Sequence, residues 1–229
     1  MGNYAMDSIR NVVVMGHGKC GKTTLTEAML YNSGALDRMG KAADGNTVSD
    51  YDSEEIKRQI SIQTSMIPVE WKGMKYNIID TPGYFDFSGE VKEGLRAADS
   101  ALIVLSGRSG VSVGTEQVYK YARTKGVPIM FFVNKMDDDR ANYTRTLEEM
   151  KVKFGKGVTP FVIPIREGDK FKGYVDIVDM TARRYEGIDR IDIPVPEGMA
   201  DEIAPLRDMI MEAVAQTDDA LMNKYFNGE

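Results

Sequence analysis

Three short segments of the chain combine residue types and spacings that could bind a nucleoside triphosphate. The first, residues 16–23, reads GHGKCGKT. Gly16 and Gly21 allow backbone conformations that aim successive N–H groups at one anion, and a following helix adds its dipole. Lys22 supplies a positive charge toward the β- and γ-phosphates, and Thr23 offers a hydroxyl to magnesium. The predicted phosphate contacts are Gly16, His17, Gly18, Lys19, Cys20, Gly21, Lys22, Thr23 and Thr24.

The second segment, residues 80–83, reads DTPG and follows an apolar run at 75–79. Asp80 can hold a magnesium-bound water, and the Gly83 N–H can contact the γ-phosphate. Loss of that contact on hydrolysis would release the residues that follow, as in order–disorder switches. Residues 37–40, DRMG, have the same spacing without a preceding strand, so we interpret them as a turn that ends a helix.

The third segment, residues 134–137, reads NKMD and follows an apolar run at 129–133. The Asp137 carboxylate can accept hydrogen bonds from N1–H and the exocyclic amine of guanine. Adenine offers neither donor there, so its binding would leave a carboxylate unpaired. Lys135 can lie over the base or brace the phosphate loop, and Asn134 belongs to the same motif. Any one segment could be an ordinary polar turn, but the ordered set predicts a guanine nucleotide site.

Composition narrows the class of protein further. The chain has 229 residues, 42% of them hydrophobic, which fits one large domain with a smaller appendage. No apolar run approaches the roughly 18–20 residues that span a bilayer, and the N-terminus lacks a signal-peptide pattern. The single cysteine excludes an internal disulfide. We therefore expect a cytoplasmic protein without a membrane partner.

The net charge of -6 is unevenly distributed. Residues 1–158 hold 21 basic and 20 acidic side chains, whereas residues 159–229 hold 8 and 15, a balance of -7. An acidic segment does not bind nucleic-acid phosphates, so we expect no DNA partner and no RNA contact through residues 159–229. The segment is either a solvated face or a surface for a protein partner.

Apolar runs alternate with segments of helical spacing up to about residue 155, which predicts an α/β fold. The expected fold is a P-loop NTPase with a mostly parallel sheet and helices on both faces. Predicted strands lie at 11–15, 60–69, 75–79, 101–105 and 129–133. Predicted helices lie at 24–31, 90–97, 116–124 and 142–154. Residues 33–58 form a long polar connection, which is usually functional or mobile.

The pattern changes after residue 158. Strands are predicted at 159–165 and 173–178, an extended segment at 191–196, and one or two helices within 201–226. We therefore predict a GTP-binding domain at 1–158 and a smaller α+β inserted subdomain at 159–229.

The chain resembles the GTPase domain of bacterial translation elongation factor G. The likeness is strongest at 16–24, 58–62, 80–87 (DTPGYFDF) and 134–137, and it continues into 171–179 (FKGYVDIVD) and 218–229. The resemblance implies GTP and GDP as ligands, Mg²⁺ as cofactor and the ribosome as partner. It also implies that the acidic insert meets a ribosomal stalk protein. The family's last guanine-contacting motif lies beyond the insert, so the chain is expected to be part of a longer protein.

Several positions depart from the family pattern. The family usually has His where this chain has Tyr84, and that His helps to position the attacking water. A phenol stays neutral near neutral pH, so it cannot supply a cation but still forms one hydrogen bond. Losing one transition-state contact costs about 10²–10³-fold in other enzymes, so we expect slow intrinsic hydrolysis. A paralogue group with Tyr at this position exists, and the chain resembles it most. The expected catalytic residues are Tyr84, Lys22 and Gly83.

Lys19 replaces an Asp, and Gln59 replaces a Gly, near the place where relatives bind a monovalent cation. The Lys19 ammonium could stand in for that ion, or it could face solvent. Gly18 replaces a bulky aliphatic residue that shields the catalytic water, which leaves Ile60 as the only matching side chain. Ser61 replaces a magnesium-ligating Thr and keeps the hydroxyl. The expected metal ligands are Thr23, Ser61 and Asp80.

The sequence thus predicts a Mg²⁺-dependent translational GTPase domain. Two alternatives stay open: a GTP-dependent binding module with little hydrolysis, and a ribosome-protection protein, although such proteins usually keep His at position 84. His17 is expected to be structural. Cys20 lies where a helix N-terminus could acidify its thiol, so oxidation that blocks GTP binding is a further possibility.

Overall fold

The computed structural model describes residues 4–155, 157–187 and 189–228. These residues divide into two compact units, Met1–Lys135 and Met136–Glu229. Each unit has its own sheet and its own buried core.

The first unit is built on a five-stranded sheet with the strand order β2-β3-β1-β4-β5. β1 pairs in parallel with β3 and β4, β4 pairs in parallel with β5, and β2 is antiparallel to β3. The strands are β1 Ile9–Met15, β2 Ser65–Trp71, β3 Met74–Asp80, β4 Ser100–Ser106 and β5 Ile129–Asn134. The helices are α1 Lys22–Asn32, α2 Ser53–Arg58, α3 Ser88–Ala97 and α4 Val113–Lys125.

Side chains alternate between two cores because successive residues of a strand point to opposite faces of the sheet. In β1, Val13 and Met15 pack with residues of α3 and α4 in one cluster. Val14 lies between them and packs on the other face, together with Leu30 of α1. All three β1 residues are fully buried. The expected fold, a mostly parallel sheet with helices on both faces, is confirmed.

The second unit contains α5 and a four-stranded antiparallel sheet in the order β6-β7-β8-β9, followed by two helices. Its elements are α5 Tyr143–Phe154, β6 Val162–Glu167, β7 Lys170–Asp176, β8 Thr181–Glu186, β9 Asp189–Ile193, α6 Ala200–Ala215 and α7 Asp219–Phe226. Ile163, Val175 and Ile177 are fully buried against Ile203 and Ile210 of α6. This unit provides the predicted small α+β fold.

The strand predicted at 60–69 is wrong at its start, since β2 begins at Ser65. Side chains take the backbone N–H groups that a strand would use for pairing: Glu55 accepts from Ile62 and Gln63, and Glu90 accepts from Thr64. Residues 60–64 therefore form a loop, and that loop carries Ser61.

The division of the chain also differs from the predicted boundary at residue 158, because α5 belongs to the second unit. Tyr143, the first residue of α5, packs against the core formed by β6, β7 and α6. The strand spacing in the sequence changes near residue 158, whereas packing divides the chain directly after Lys135.

Candidate functional site

The phosphate loop lies between the end of β1 and the start of α1. Gly21 adopts the left-handed conformation at the helix N-cap, with φ of 99°, and Lys19 also has a positive φ of 62°. Gly16 lies against the backbone of β4, where any Cβ would collide with the Val104 carbonyl. Left-handed residues that alternate with ordinary ones turn successive N–H groups toward the inside of such a loop, which makes an anion-binding concavity.

Lys22 is buried at the centre of this loop, with 6% of its surface exposed. Its Nζ donates to the carbonyls of Gly16 at 3.1 Å and His17 at 3.2 Å. Gly83 lies so close that a Cβ there would collide with Lys22 Nζ and lie 2.7 Å from Gly18 N. The structure therefore brings the first and second motifs together around one buried positive charge.

The three residues predicted as magnesium ligands also converge. Thr23 Oγ1 donates to Asp80 Oδ2 at 3.0 Å and lies 3.3 Å from Ser61 Oγ. Asp80 is 2% exposed, and its Oδ1 is buried without a hydrogen bond to any described residue. Thr81 fixes the end of β3, because its Oγ1 donates to the Val14 carbonyl at 2.8 Å.

Electrostatics favour a cation beside Asp80. The pKa of Asp80 is raised from 3.8 to about 6, mainly by burial and to a smaller extent by the nearby Asp50, although Lys22 and the Thr23 hydroxyl act to lower it. Burial also raises the pKa of Asp50, whereas a hydrogen bond with Ser61 lowers it. Two desolvated carboxyls beside hydroxyl oxygens suit a hard divalent cation.

The side chains near Asp80 fit a magnesium ion that is bound jointly by the protein and a nucleotide. They do not form a site in which the protein supplies all the metal ligands. Within the described ranges, no group of three or more His, Cys, Asp or Glu side chains could hold a metal ion. The carboxylate of Asp80, whose Oδ1 is unpaired, and the hydroxyls of Thr23 and Ser61 leave positions for phosphate oxygens and water, which is how Mg²⁺ is usually bound.

The third motif braces the phosphate loop through two of its residues. Asn134 Nδ2 donates to the Cys20 carbonyl at 3.0 Å, and Lys135 Nζ donates to the Lys19 carbonyl at 2.8 Å. The bracing role predicted for Lys135 is therefore present. Asp137 is exposed and belongs to the second unit, so its contact with guanine stays a prediction from the sequence.

The remaining loop residues are placed less directly. The Lys19 and Thr24 side chains are exposed, and Lys19 contributes its carbonyl to the brace from Lys135. The His17 ring packs against Gly114 and lies 6.2 Å from the Phe85 ring, which agrees with a structural role.

The expectation of an acidified Cys20 thiol is wrong. Cys20 is 5% exposed and packs in an apolar cluster with Leu30 and Val104. Burial raises the pKa of the thiol, and this outweighs the lowering by the nearby Lys22 charge. A buried thiol in apolar surroundings is unreactive, so the structure offers no basis for oxidation at this position.

Three carboxylates that hold the loop before β2 were missed by sequence reasoning. Glu27 of α1 is fully buried and accepts from Gly40 N at 3.0 Å and Val48 N at 2.6 Å. Glu55 and Glu90 hold residues 62–64 in the same way. For Glu55 the sequence does carry a signal, because Asp52 and Glu55 form a capping box that starts α2.

No helix in the described part of the chain is long and apolar enough to cross a membrane.

The strand, loop and helix around Lys22, with Asp80 at the end of the neighbouring strand, have the arrangement of the P-loop nucleoside triphosphatases. Within that class, the chain belongs to the family of elongation factor Tu GTP-binding domains, which it matches over residues 7–219. The family implies a guanine nucleotide, usually with Mg²⁺, and a role in translation.

A crystal structure of a protein from Thermus thermophilus is similar to this chain, with a TM-score of 0.92 and 37% sequence identity. The match covers 97% of this chain and 33% of that protein. The chain thus spans a third of the length of that relative.

Proposed function

We propose that the chain is the GTPase domain of a translation factor resembling elongation factor G, from the paralogue group with Tyr at position 84. It acts on the ribosome, binds GTP with Mg²⁺ and hydrolyses GTP slowly on its own. The observation that carries this proposal is the convergence of Lys22 and Gly83 with Thr23, Ser61 and Asp80 at the phosphate loop.

Each residue has a proposed task. The Lys22 ammonium and the loop N–H groups bind the β- and γ-phosphates, and the Gly83 N–H contacts the γ-phosphate. Thr23, Ser61 and Asp80 would hold Mg²⁺, which neutralises phosphate charge when it is bound.

The base is assigned to the third motif. Asn134 and Lys135 fix the loop from outside, through the Cys20 and Lys19 carbonyls. Asp137 is proposed to accept the two guanine donors, which gives discrimination of about 10⁴-fold against adenine.

A GTP-dependent binding module with little hydrolysis is the second candidate. The observation that favours it is Tyr84, whose ring lies against Gly18 in the phosphate loop where relatives usually have His. His17 is the single histidine of the sequence, so no second histidine can replace the imidazole that relatives have at position 84.

Partners and location follow from the family resemblance and the charge distribution. The acidic residues 159–229, proposed as the inserted subdomain, would face a ribosomal stalk protein, while ribosomal RNA is contacted mainly by parts of the longer protein. We propose a cytoplasmic location, as for other translation factors.

Phosphate release by the full-length protein, with and without ribosomes, tests the proposal. Multiple turnovers that require ribosomes support a translational GTPase. Tight GTP binding without turnover in either condition favours the binding module. Failure to bind guanine nucleotides in the presence of Mg²⁺ contradicts both.

A further inference from the structure

Gly18 of the phosphate loop and Tyr84, the residue after the second motif, are in direct contact. A Cβ atom on Gly18 would lie 2.9 Å from Cζ, 3.0 Å from Cε2 and 3.1 Å from Cε1 of Tyr84. These atoms form the hydroxyl-bearing end of the ring. The ring therefore stands with its hydroxyl end over Gly18, at a distance that only a residue without a side chain permits.

The backbone that leads into Tyr84 also lies against the phosphate loop. A Cβ on Gly83 would collide with Lys22 Nζ and lie 2.8 Å from the Gly18 Cα, so the backbone before Tyr84 is held against the loop. Among the residues that the structure describes, none is hydrogen-bonded to the Tyr84 hydroxyl. The hydroxyl-bearing end of the Tyr84 ring thus lies beside the phosphate loop, and the preceding residue, Gly83, lies against the buried Lys22 ammonium.

We propose that Gly18 and Tyr84 together form a sensor of the γ-phosphate that distinguishes GTP from GDP. Phosphate oxygens only accept hydrogen bonds, and an O–H donor to a charged acceptor forms a strong bond. GDP lacks the terminal phosphate, so it cannot use this donor. Gly18 leaves the space that seats the ring, and Tyr84 provides the donor. The inference rests on the proposed function, in which the loop holds a guanine nucleotide.

Gly18→Ala is a clean steric probe of this contact. Gly18 does not have a positive φ, so an alanine adds no backbone strain. The added methyl meets the end of a side chain, which can swing away while the fold is kept. Gly89→Ala is the matched control, because a Cβ at Gly89 in α3 meets nothing within 4 Å.

Calorimetry on the full-length protein with Mg²⁺ measures affinity for a non-hydrolysable GTP analogue and for GDP. For Tyr84→Phe, we expect analogue affinity to fall roughly 10- to 100-fold, as for a lost hydrogen bond to a charged group, and GDP affinity to stay unchanged. Gly18→Ala should weaken binding of the analogue more than binding of GDP, and the double variant should lose no more analogue affinity than Tyr84→Phe alone. Gly89→Ala should match the wild type.

Equal losses for both nucleotides, or additive losses in the double variant, would overturn the sensor. If the wild type binds neither nucleotide, the proposed function itself fails. Thermal unfolding without nucleotide gives an independent readout of the contact. In the wild-type background, where Tyr84 is present, Gly18→Ala should lower the melting temperature of the protein. In a Tyr84→Ala background, the same Gly18→Ala substitution should have no effect on the melting temperature. An equal effect in both backgrounds would refute the contact.

Discussion

Replacement of Glu55 by alanine tests how the loop that carries Ser61 is held in place. Glu55 is 2% exposed. Its carboxylate accepts from the backbone N–H groups of Ile62 at 2.8 Å, Gln63 at 3.0 Å and Asp52 at 3.3 Å. The variant removes the only acceptor that the structure shows for Ile62 N and Gln63 N among the described residues, so the loop should open more often.

The size of the effect follows from the two shorter bonds. A hydrogen bond to a charged group contributes about 1.5–3 kcal/mol. Ile62 is half-buried and Gln63 is exposed, so water replaces part of this loss. We therefore expect local opening to become easier by about 2–4 kcal/mol, which corresponds to amide exchange that is roughly 30- to 1000-fold faster.

Hydrogen exchange of the Ile62 and Gln63 amides, read by NMR or mass spectrometry, is the assay. Glu54→Ala is the matched control, since Glu54 is the neighbouring residue but half-exposed, paired with Lys57 at 4.0 Å and Arg58 at 2.9 Å. Exposed pairs of this kind contribute at most about 1 kcal/mol. Unchanged exchange in Glu55→Ala, or equal acceleration in both variants, would refute the reasoning.

Three further predictions concern metal and nucleotide binding. Ser61→Ala should weaken the Mg²⁺-dependent part of GTP binding by about 10-fold or more. Ser61→Thr keeps the hydroxyl, so this variant should bind GTP like the wild type. Calorimetry at several Mg²⁺ concentrations measures the GTP affinity of both variants. Because the pKa of Asp80 without metal is about 6, Mg²⁺ affinity should fall as the pH drops below 6 and level off above it, and a flat profile between pH 5 and 7 would contradict the assignment. Asn134→Ala removes the 3.0 Å hydrogen bond to the Cys20 carbonyl, so the melting temperature should fall by a few degrees. The affinities for GDP and GTP should decline together. A loss of affinity for one nucleotide alone would argue against a bracing role.

Local chemistry made the phosphate loop and the sheet predictable. The glycines of residues 16–23 and the strand before them define a turn whose geometry is fixed by backbone conformation. The end of the helix predicted at 24–31 could also be predicted locally, because Gly34 follows it and takes the left-handed conformation that closes a helix. These features depend on residues close together in the sequence, so spacing and residue type were enough.

Features that depend on distant contacts could not be predicted. The loop at 60–64 looks like a strand by residue type, and only the packing of Glu55 and Glu90 shows why it is not. The strand β8 was missed because Arg183 and Arg184 interrupt the apolar pattern on a sheet with one exposed face. The contact between Gly18 and Tyr84 joins residues of two motifs that are far apart in the sequence, so neither motif alone predicts it.

The central claim is that the residues around Lys22 and Asp80 bind Mg²⁺ together with a triphosphate whose base is guanine. Calorimetry of the full-length protein with non-hydrolysable GTP and ATP analogues, each with and without Mg²⁺, tests it most directly. The account predicts Mg²⁺-dependent binding of the guanine analogue and at least about 10⁴-fold weaker binding of the adenine analogue. Equal affinity for the two analogues, or binding that ignores Mg²⁺, would contradict it.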